Sequence, residues 1–395
     1  MRRAASSLVG PVCFVALLVV IYRPVWFEDG QFVGGNVSYH FYPLHLRVQQ
    51  EWDAGRWPLW DPGHNGGEPL LGNPIAAVLY PAKALYAWLP YAWAARLYVI
   101  GHIVLAFFGV LALGRSLGVS WEGSYLGGLS YAFGAPILLQ SGNPCFLVGA
   151  AWIPWAFCAI DRLLRPRTAT PRVPGDPRPT RWGVAELAAV LALQVLGGDP
   201  GAAYLTVVCG AGYAGILAIR ARNRPARLVA WPVVLGAVGL WVAASLGLAS
   251  APIARPGFLA ANGLVLAAWA AVGLGFAWSW YRRPGEARLA PRLARLMAAC
   301  TLALALAAVQ VLPALEFVGR TWRAAGISAA VLYQYSLDPC RLVELVWPNV
   351  FGTSSPENRS WLQAIPPIGG HEVWVESLYL GGFALVLALG AAGWR

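Results

Sequence analysis

The chain has 395 residues, 58% of them hydrophobic and only 12% charged, with a formal net charge of +11. A soluble domain carries about 25% charged residues, so this composition excludes a soluble globular protein and implies a chain that crosses a membrane repeatedly. The arginines cluster in short loops between apolar runs, which is the pattern of an orientation signal and of contact with anionic lipid, not of a nucleic-acid partner. Cys13, Cys145, Cys158, Cys209, Cys300 and Cys340 form no C-x-x-C pair and have no histidine at metal spacing, so neither a disulfide framework nor a zinc site is expected.

In chain order, the first apolar run "MRRAASSLVGPVCFVALLVVIY" has no small-x-small cleavage pattern before "RPVWFEDG". It reads as an uncleaved first span, Ala4–Tyr22. A large loop follows, from Arg23 to about Tyr91. Within it "SYHFYPLHLRVQQEWDAG" places Phe41, Leu44, Val48 and Trp52 at helical spacing, with Arg47 and Gln50 off that stripe. The pattern predicts an amphipathic helix lying on the membrane surface, with Pro43 in its first turn. "GRWPLWDPGHNGGEPLLGNP" is turn chemistry. "IAAVLYPAKALYAWLP" is apolar but interrupted by Pro81 and Lys83, and is expected to be interfacial or re-entrant.

Further runs of spanning length, about 17–25 residues, are Ala92–Leu113, Trp121–Leu139, Phe146–Leu164, Trp182–Leu196 (short, with uncertain ends) and Ala202–Ile219. Ala230–Ser250, Gly263–Tyr281, Leu296–Leu315 and Val373–Ala392 complete the set. The fold class expected is an all-α polytopic membrane protein of about ten transmembrane helices, one transmembrane domain over residues 1–395. A second large loop runs from Glu316 to about Glu372. With the N-terminus inside, "LLRPRTATPRVPGDPRPTR", "RARNRPAR" and "RRPGEARLAPRLAR" all fall on the cytoplasmic side, as the positive-inside rule requires. Most acids, Glu28 and Asp29 first among them, then face outward. His102 and Gln310, inside spans, are expected to satisfy hydrogen bonds between helices.

"DGQ" after the first span, "GRWPLWDPGHNGGEPLLGNPIAAVLYPAKAL", "LGVSWEGSYLGGLSYAFGAPILLQSGNP" and "AWIPW" resemble the YfhO-like bacterial membrane proteins. "VLGGDPGAAY", "AVQVLPALEFVGRTWR", "SLDPCRLVELVWPNVFG" and "ESLYLGGFALVLAL" continue the resemblance in order, over Asp29 to about Leu389. The resemblance implies a GT-C-type bundle whose large first extracytoplasmic loop bears surface helices. Its activity would be transfer of a sugar from a polyprenyl-phosphate carrier to a cell-envelope polymer or protein acceptor. The setting implied is the bacterial cytoplasmic membrane, with membrane lipids as the remaining partners. The chain departs from the family pattern at Gly142-Asn143, where Gly-His is common, and at Gly198-Asp199-Pro200-Gly201, where Gly-His-Pro-Gln is common. It is also shorter than usual for the family, which suggests the N-terminal part of a longer protein.

Such chemistry needs a base for the acceptor hydroxyl, positive charge for the leaving phosphate, and an apolar cleft beside a wet pocket. Asp29 is the candidate base, anchored at a span end where partial desolvation would favour it; the competing reading is a hydrated acid that marks the span end. Glu28 and Asp53 are the other catalytic candidates. Asp29, Asp53 and Asp61 are candidate ligands for a Mg²⁺ or Mn²⁺, hard cations that take oxygen donors. Arg320 and Arg323 are phosphate-binding candidates, although Glu316 and Arg320 also stand at ion-pair spacing on a helix. Gln31, Lys83 and His64 complete the substrate-binding set, with His40 and Arg96 as weaker candidates. A lipid-linked-sugar flippase would need ionisable groups at mid-membrane, and a silent scaffold for envelope assembly is a third reading.

Overall fold

A computed structural model describes residues 2–32, 35–165, 182–220 and 290–326, with 328, 343–345, 347, 350 and 379 besides. The fold is helical. α1 (Arg2–Ile21) and a single-turn α2 (Arg23–Phe27) lead into the first large loop, which holds α3 (Phe41–Asp53) and α4 (Ala84–Trp88). Then come α5 (Tyr91–Ser116), α6 (Trp121–Ala132), α7 (Ala135–Leu138), α8 (Pro144–Leu164), α9 (Gly183–Leu196), α10 (Pro200–Arg220) and α11 (Ala290–Gly319).

Three of these are long and apolar enough to cross a membrane: α5, α8 and the Arg292–Gly319 part of α11. At about 1.5 Å per residue, the 26 residues of α5 reach about 39 Å, beyond the hydrocarbon thickness of about 30 Å. The expected third span is different. Trp121–Leu139 is not one helix but α6, α7 and a 3-10 turn over Leu139–Gly142. Gly134 and Pro136 interrupt it, proline having no N–H to continue the helical ladder. The expected spans Ala230–Ser250, Gly263–Tyr281 and Val373–Ala392 lie outside the described residues.

Small residues let the helices approach. A Cβ at Gly109 of α5 would lie 2.8 Å from the Trp155 ring of α8, and one at Gly128 of α6 would lie 2.7 Å from Leu111. Phe14 of α1 stacks on Phe107 of α5 with ring centroids 3.9 Å apart, in a core that includes Ile103, Ala132 and Leu147. A second core joins α8, α9, α10 and α11 through Ile160, Leu187, Ala214 and Ala299.

Opposite ends of this bundle differ in chemistry. At the end where α5 finishes, buried Asp161 accepts from Ser116 Oγ at 2.6 Å and Tyr213 OH at 2.7 Å, and pairs with Arg165. There Arg292 and Arg295 of α11 donate at 3.1 Å to the Leu164 and Leu163 carbonyls, which end α8. At the other end the first large loop folds down onto the helices. Two-residue strands β1 (Trp60–Asp61) and β2 (Glu68–Pro69) pair antiparallel around the "PGHNGG" turn, where Asn65, Gly66 and Gly67 all have positive φ.

The helix expected on the membrane surface and the segment expected to be interfacial or re-entrant both pack against protein. The apolar stripe of α3 faces protein: Val48 is buried with Leu70, Ala76 and Val78, flanked by Leu44 and Trp52. The segment "IAAVLYPAKALYAWLP" folds back onto the helices. Its Ala77, Tyr80 and Tyr86 form a core with Ala94 and Tyr98 of α5 and Val148 of α8.

Candidate functional site

The loop end of α1 runs through α2 into a tight turn. Pro24 starts α2, and its carbonyl accepts from both Glu28 N at 3.1 Å and Gly30 N at 2.8 Å. A Cβ at residue 30 would stand 2.7 Å from that carbonyl oxygen, so only glycine fits there. Asp29 takes φ 53°, a left-handed conformation that aspartate tolerates better than most residues. The turn thereby presents the Asp29 carboxylate outward, at a side-chain exposure of 101%.

Arg96 fixes this turn from below. It lies in the second turn of α5, is 3% exposed, and stacks over Trp93 with 4.9 Å from its guanidinium carbon to the ring centroid. Its Nη2 donates to Asp29 Oδ1 at 3.3 Å and its Nε to the Gly30 carbonyl at 3.2 Å. The Gln31 amide, oriented with its oxygen toward the guanidinium, accepts from Nε at 3.0 Å and Nη2 at 2.8 Å. One buried cation therefore holds all of "DGQ". The desolvation expected of Asp29 is absent, because the carboxylate points past the Arg96 guanidinium into open solvent.

Other carboxylates of the loop are held elsewhere. Glu28 pairs with Arg23 at 3.2 Å on the surface. Asp53 is exposed at the end of α3. Asp61 accepts from Gly63 N at 2.9 Å and stands 3.4 Å from Arg47 Nε. Among the described residues no three His, Cys, Asp or Glu side chains gather closely enough to hold a metal. Asp29, Asp53 and Asp61 thus do not form the oxygen cluster expected for Mg²⁺ or Mn²⁺. Glu51, not singled out in the sequence, is the organising acid: it is buried, pairs with Arg47, and accepts from Arg56 Nε at 2.8 Å. Its i,i+4 spacing from Arg47 was the available signal. His64 is exposed in the hairpin turn. Burial draws the His40 imidazole below its ordinary value, His64 adding to the effect and Glu68 opposing it.

Lys83 is not at the surface. It is 1% exposed, and its Nζ lies 4.6 Å from the Tyr86 ring centroid and 4.9 Å from that of Tyr98, with no hydrogen-bond partner. It cannot reach a phosphate in this conformation. Arg320 forms the surface pair with Glu316, at 2.5 Å and with both side chains more than half exposed. Arg323 lies in the 3-10 turn Trp322–Ala325.

The polar groups inside helices serve the loop. His102 of α5 meets the Tyr80 hydroxyl at 2.7 Å, and Trp152 Nε1 of α8 donates to the same oxygen at 2.9 Å. Gln310 of α11 donates to the Leu71 carbonyl at 3.1 Å. A Cβ at Gly72 would stand 3.1 Å from the Pro313 carbonyl. This end of α11 is thus brought beside the first large loop. At the two positions that depart from the family pattern, structural bonds are found: Asn143 Oδ1 accepts from Asn36 Nδ2 at 2.8 Å, and Asp199 Oδ1 caps α10 through Ala202 N at 2.9 Å. No protein-family model, curated protein or solved structure matches this chain.

Proposed function

We propose that this protein is a membrane glycosyltransferase that moves a sugar from a polyprenyl-phosphate carrier to a cell-envelope acceptor, as the resemblance to YfhO-like proteins implies. In this reading the chain crosses the bacterial cytoplasmic membrane about ten times with its N-terminus inside, and the loop end of the bundle faces outward. The observation that carries it is the Asp29 turn. A fully exposed carboxylate is held by a buried arginine on a backbone that accepts only glycine at the next position. A span-end acid that merely marks the interface needs no such support.

Asp29 accepts the proton of the acceptor hydroxyl as its oxygen bonds to the anomeric carbon. The bond from that carbon to the carrier phosphate breaks, and the phosphate leaves as the anion. Arg96 is a positioning residue for this step. Arg320 is the candidate for the departing phosphate, because an exposed pair such as Glu316–Arg320 is worth at most about 1 kcal/mol and exchanges readily for a new anion. A flippase is less well supported: His102 and Gln310, the polar groups that would line a path, are committed to loop atoms.

The test is transfer of labelled sugar from polyprenyl phosphate to envelope polymer, in membranes with equal amounts of each variant. Asp29→Asn keeps the shape and one acceptor for Arg96 but removes the base, so transfer should fall about 10²–10⁴-fold with protein level unchanged. Full transfer by Asp29→Asn would return the residue to a hydrated span end.

A further inference from the structure

The stretch from Pro74 to Leu89 is tethered at both flanks by side-chain amides. Gln310 Nε2 holds the Leu71 and Asn73 carbonyls at 3.1 and 3.5 Å, and Gln49 Nε2 of α3 holds those of Tyr86 and Leu89, both at 2.8 Å. Its middle is less secure. Ala77 takes φ 49°, uncommon for alanine, and Lys83 buries an amine that no acceptor meets.

The titratable groups around that amine come from each element packed on it. They are His45 of α3, Tyr86 of α4, Tyr98 and His102 of α5, Cys145 of α8, and Tyr80 of the segment itself. Among the described residues none is a carboxylate. Asp199, beyond Cys145, is occupied by the Ala202 amide. His102 Nδ1 faces the Tyr98 carbonyl at 2.6 Å and so carries the hydrogen, leaving Nε2 to accept from Tyr80. An ammonium here would have two aromatic faces but no carboxylate beside it among the described residues, and ring faces repay only part of the desolvation.

We propose that Lys83 makes this segment a proton-operated plug: it stays seated between α3, α5 and α8 while the amine is uncharged, and proton uptake by the amine releases it. Burial holds the seated amine well below its ordinary value of 10.5. A released lysine binds its proton at any pH below that ordinary value. Between the seated value and 10.5 the released form therefore binds one more proton, and its population rises about tenfold for each unit by which pH falls. The histidines, whose ordinary value is 6.5, remain uncharged over the alkaline part of that range.

The experiment alkylates Val78→Cys with iodoacetamide in the full chain in membranes, at reagent levels where the rate is first order in reagent. Val78 is 4% exposed. The rate is read by mass spectrometry of the peptide carrying the substitution and normalised at each pH to Gly63→Cys, an exposed control. As pH falls below about 9.5 the normalised rate should rise with Lys83 present, by about tenfold per unit at its steepest, and change by less than about threefold when Lys83→Met is added. A flat profile with Lys83 present would overturn the proposal, as would an equal rise in the Lys83→Met protein.

Discussion

Arg96 and Lys83 are two buried basic side chains with opposite provision. Arg96 has the Asp29 carboxylate, a carbonyl and an amide around its guanidinium; Lys83 has only ring faces. The difference predicts opposite outcomes on removal. Lys83→Met keeps the length and fills the same space without an amine to desolvate, so it should stabilise the protein by about 1–3 kcal/mol at neutral pH. The sign follows from linkage: folding strips a proton from Lys83 wherever pH lies below 10.5 and above its lowered folded value. The advantage should therefore shrink as pH approaches 10.5, where the unfolded lysine is losing its proton too. Thermal unfolding in detergent at about pH 7 and about pH 10 measures it, and an unchanged midpoint at the lower pH would mean that the amine is hydrated. Asp161 is the contrary case. Asp161→Leu leaves the buried Arg165 without its carboxylate and should cost about 3–5 kcal/mol, read as loss of folded protein in the same assay.

At the scale of elements, α11 is joined to the rest of the chain at both ends. Arg292 and Arg295 cap the carbonyls that end α8, and Gln310 holds the first loop. Between those points α11 exposes Leu304, Leu306 and Val309 and packs Leu296, Ala299 and Ala303 into the core with α8, α9 and α10. Gln310→Leu removes the donor for the Leu71 and Asn73 carbonyls. The expected cost is about 1–3 kcal/mol for acceptors left buried and unpaired, concentrated at residues 70–74. Hydrogen exchange should show faster opening there with the Arg292 end of the bundle unaffected; uniform loosening would mean that Gln310 supports the whole bundle. The broken third span is also an element-scale result. Averaged hydropathy over Trp121–Leu139 does not register Gly134 and Pro136, whose effect is on hydrogen bonding and not on transfer energy.

For the whole molecule, the helices alternate in direction through their contacts. α8 starts beside Asn36 and ends beside Arg292, whereas α11 starts at that second end and rises to Leu71. Which of these two ends faces the cytoplasm is what the arginine-rich loops predict. A membrane-impermeant thiol reagent should label Gly63→Cys on intact cells, and label Thr168→Cys only after lysis. Labelling of Gly63→Cys only after lysis would invert the topology and place Asp29 on the cytoplasmic side.

The sequence by itself determined the helical membrane character, the ends of α1, α5 and α8 to within a few residues, the α3 stripe and the ion-pair spacing Glu316–Arg320. These depend on hydrophobic run length and helical period, which act over one or two turns of chain. It also singled out Asp29, because it adjoins a span end, and Gln31 through the resemblance carried by "DGQ". Only the tertiary structure decided that Arg96, 67 residues away from Asp29, clamps both, that Lys83 is buried among rings, and that Asp29, Asp53 and Asp61 stand apart. Burial and pairing of charge depend on which distant segments meet, and a polar residue in a loop carries no local mark of whether that loop lies in water or folds back between helices.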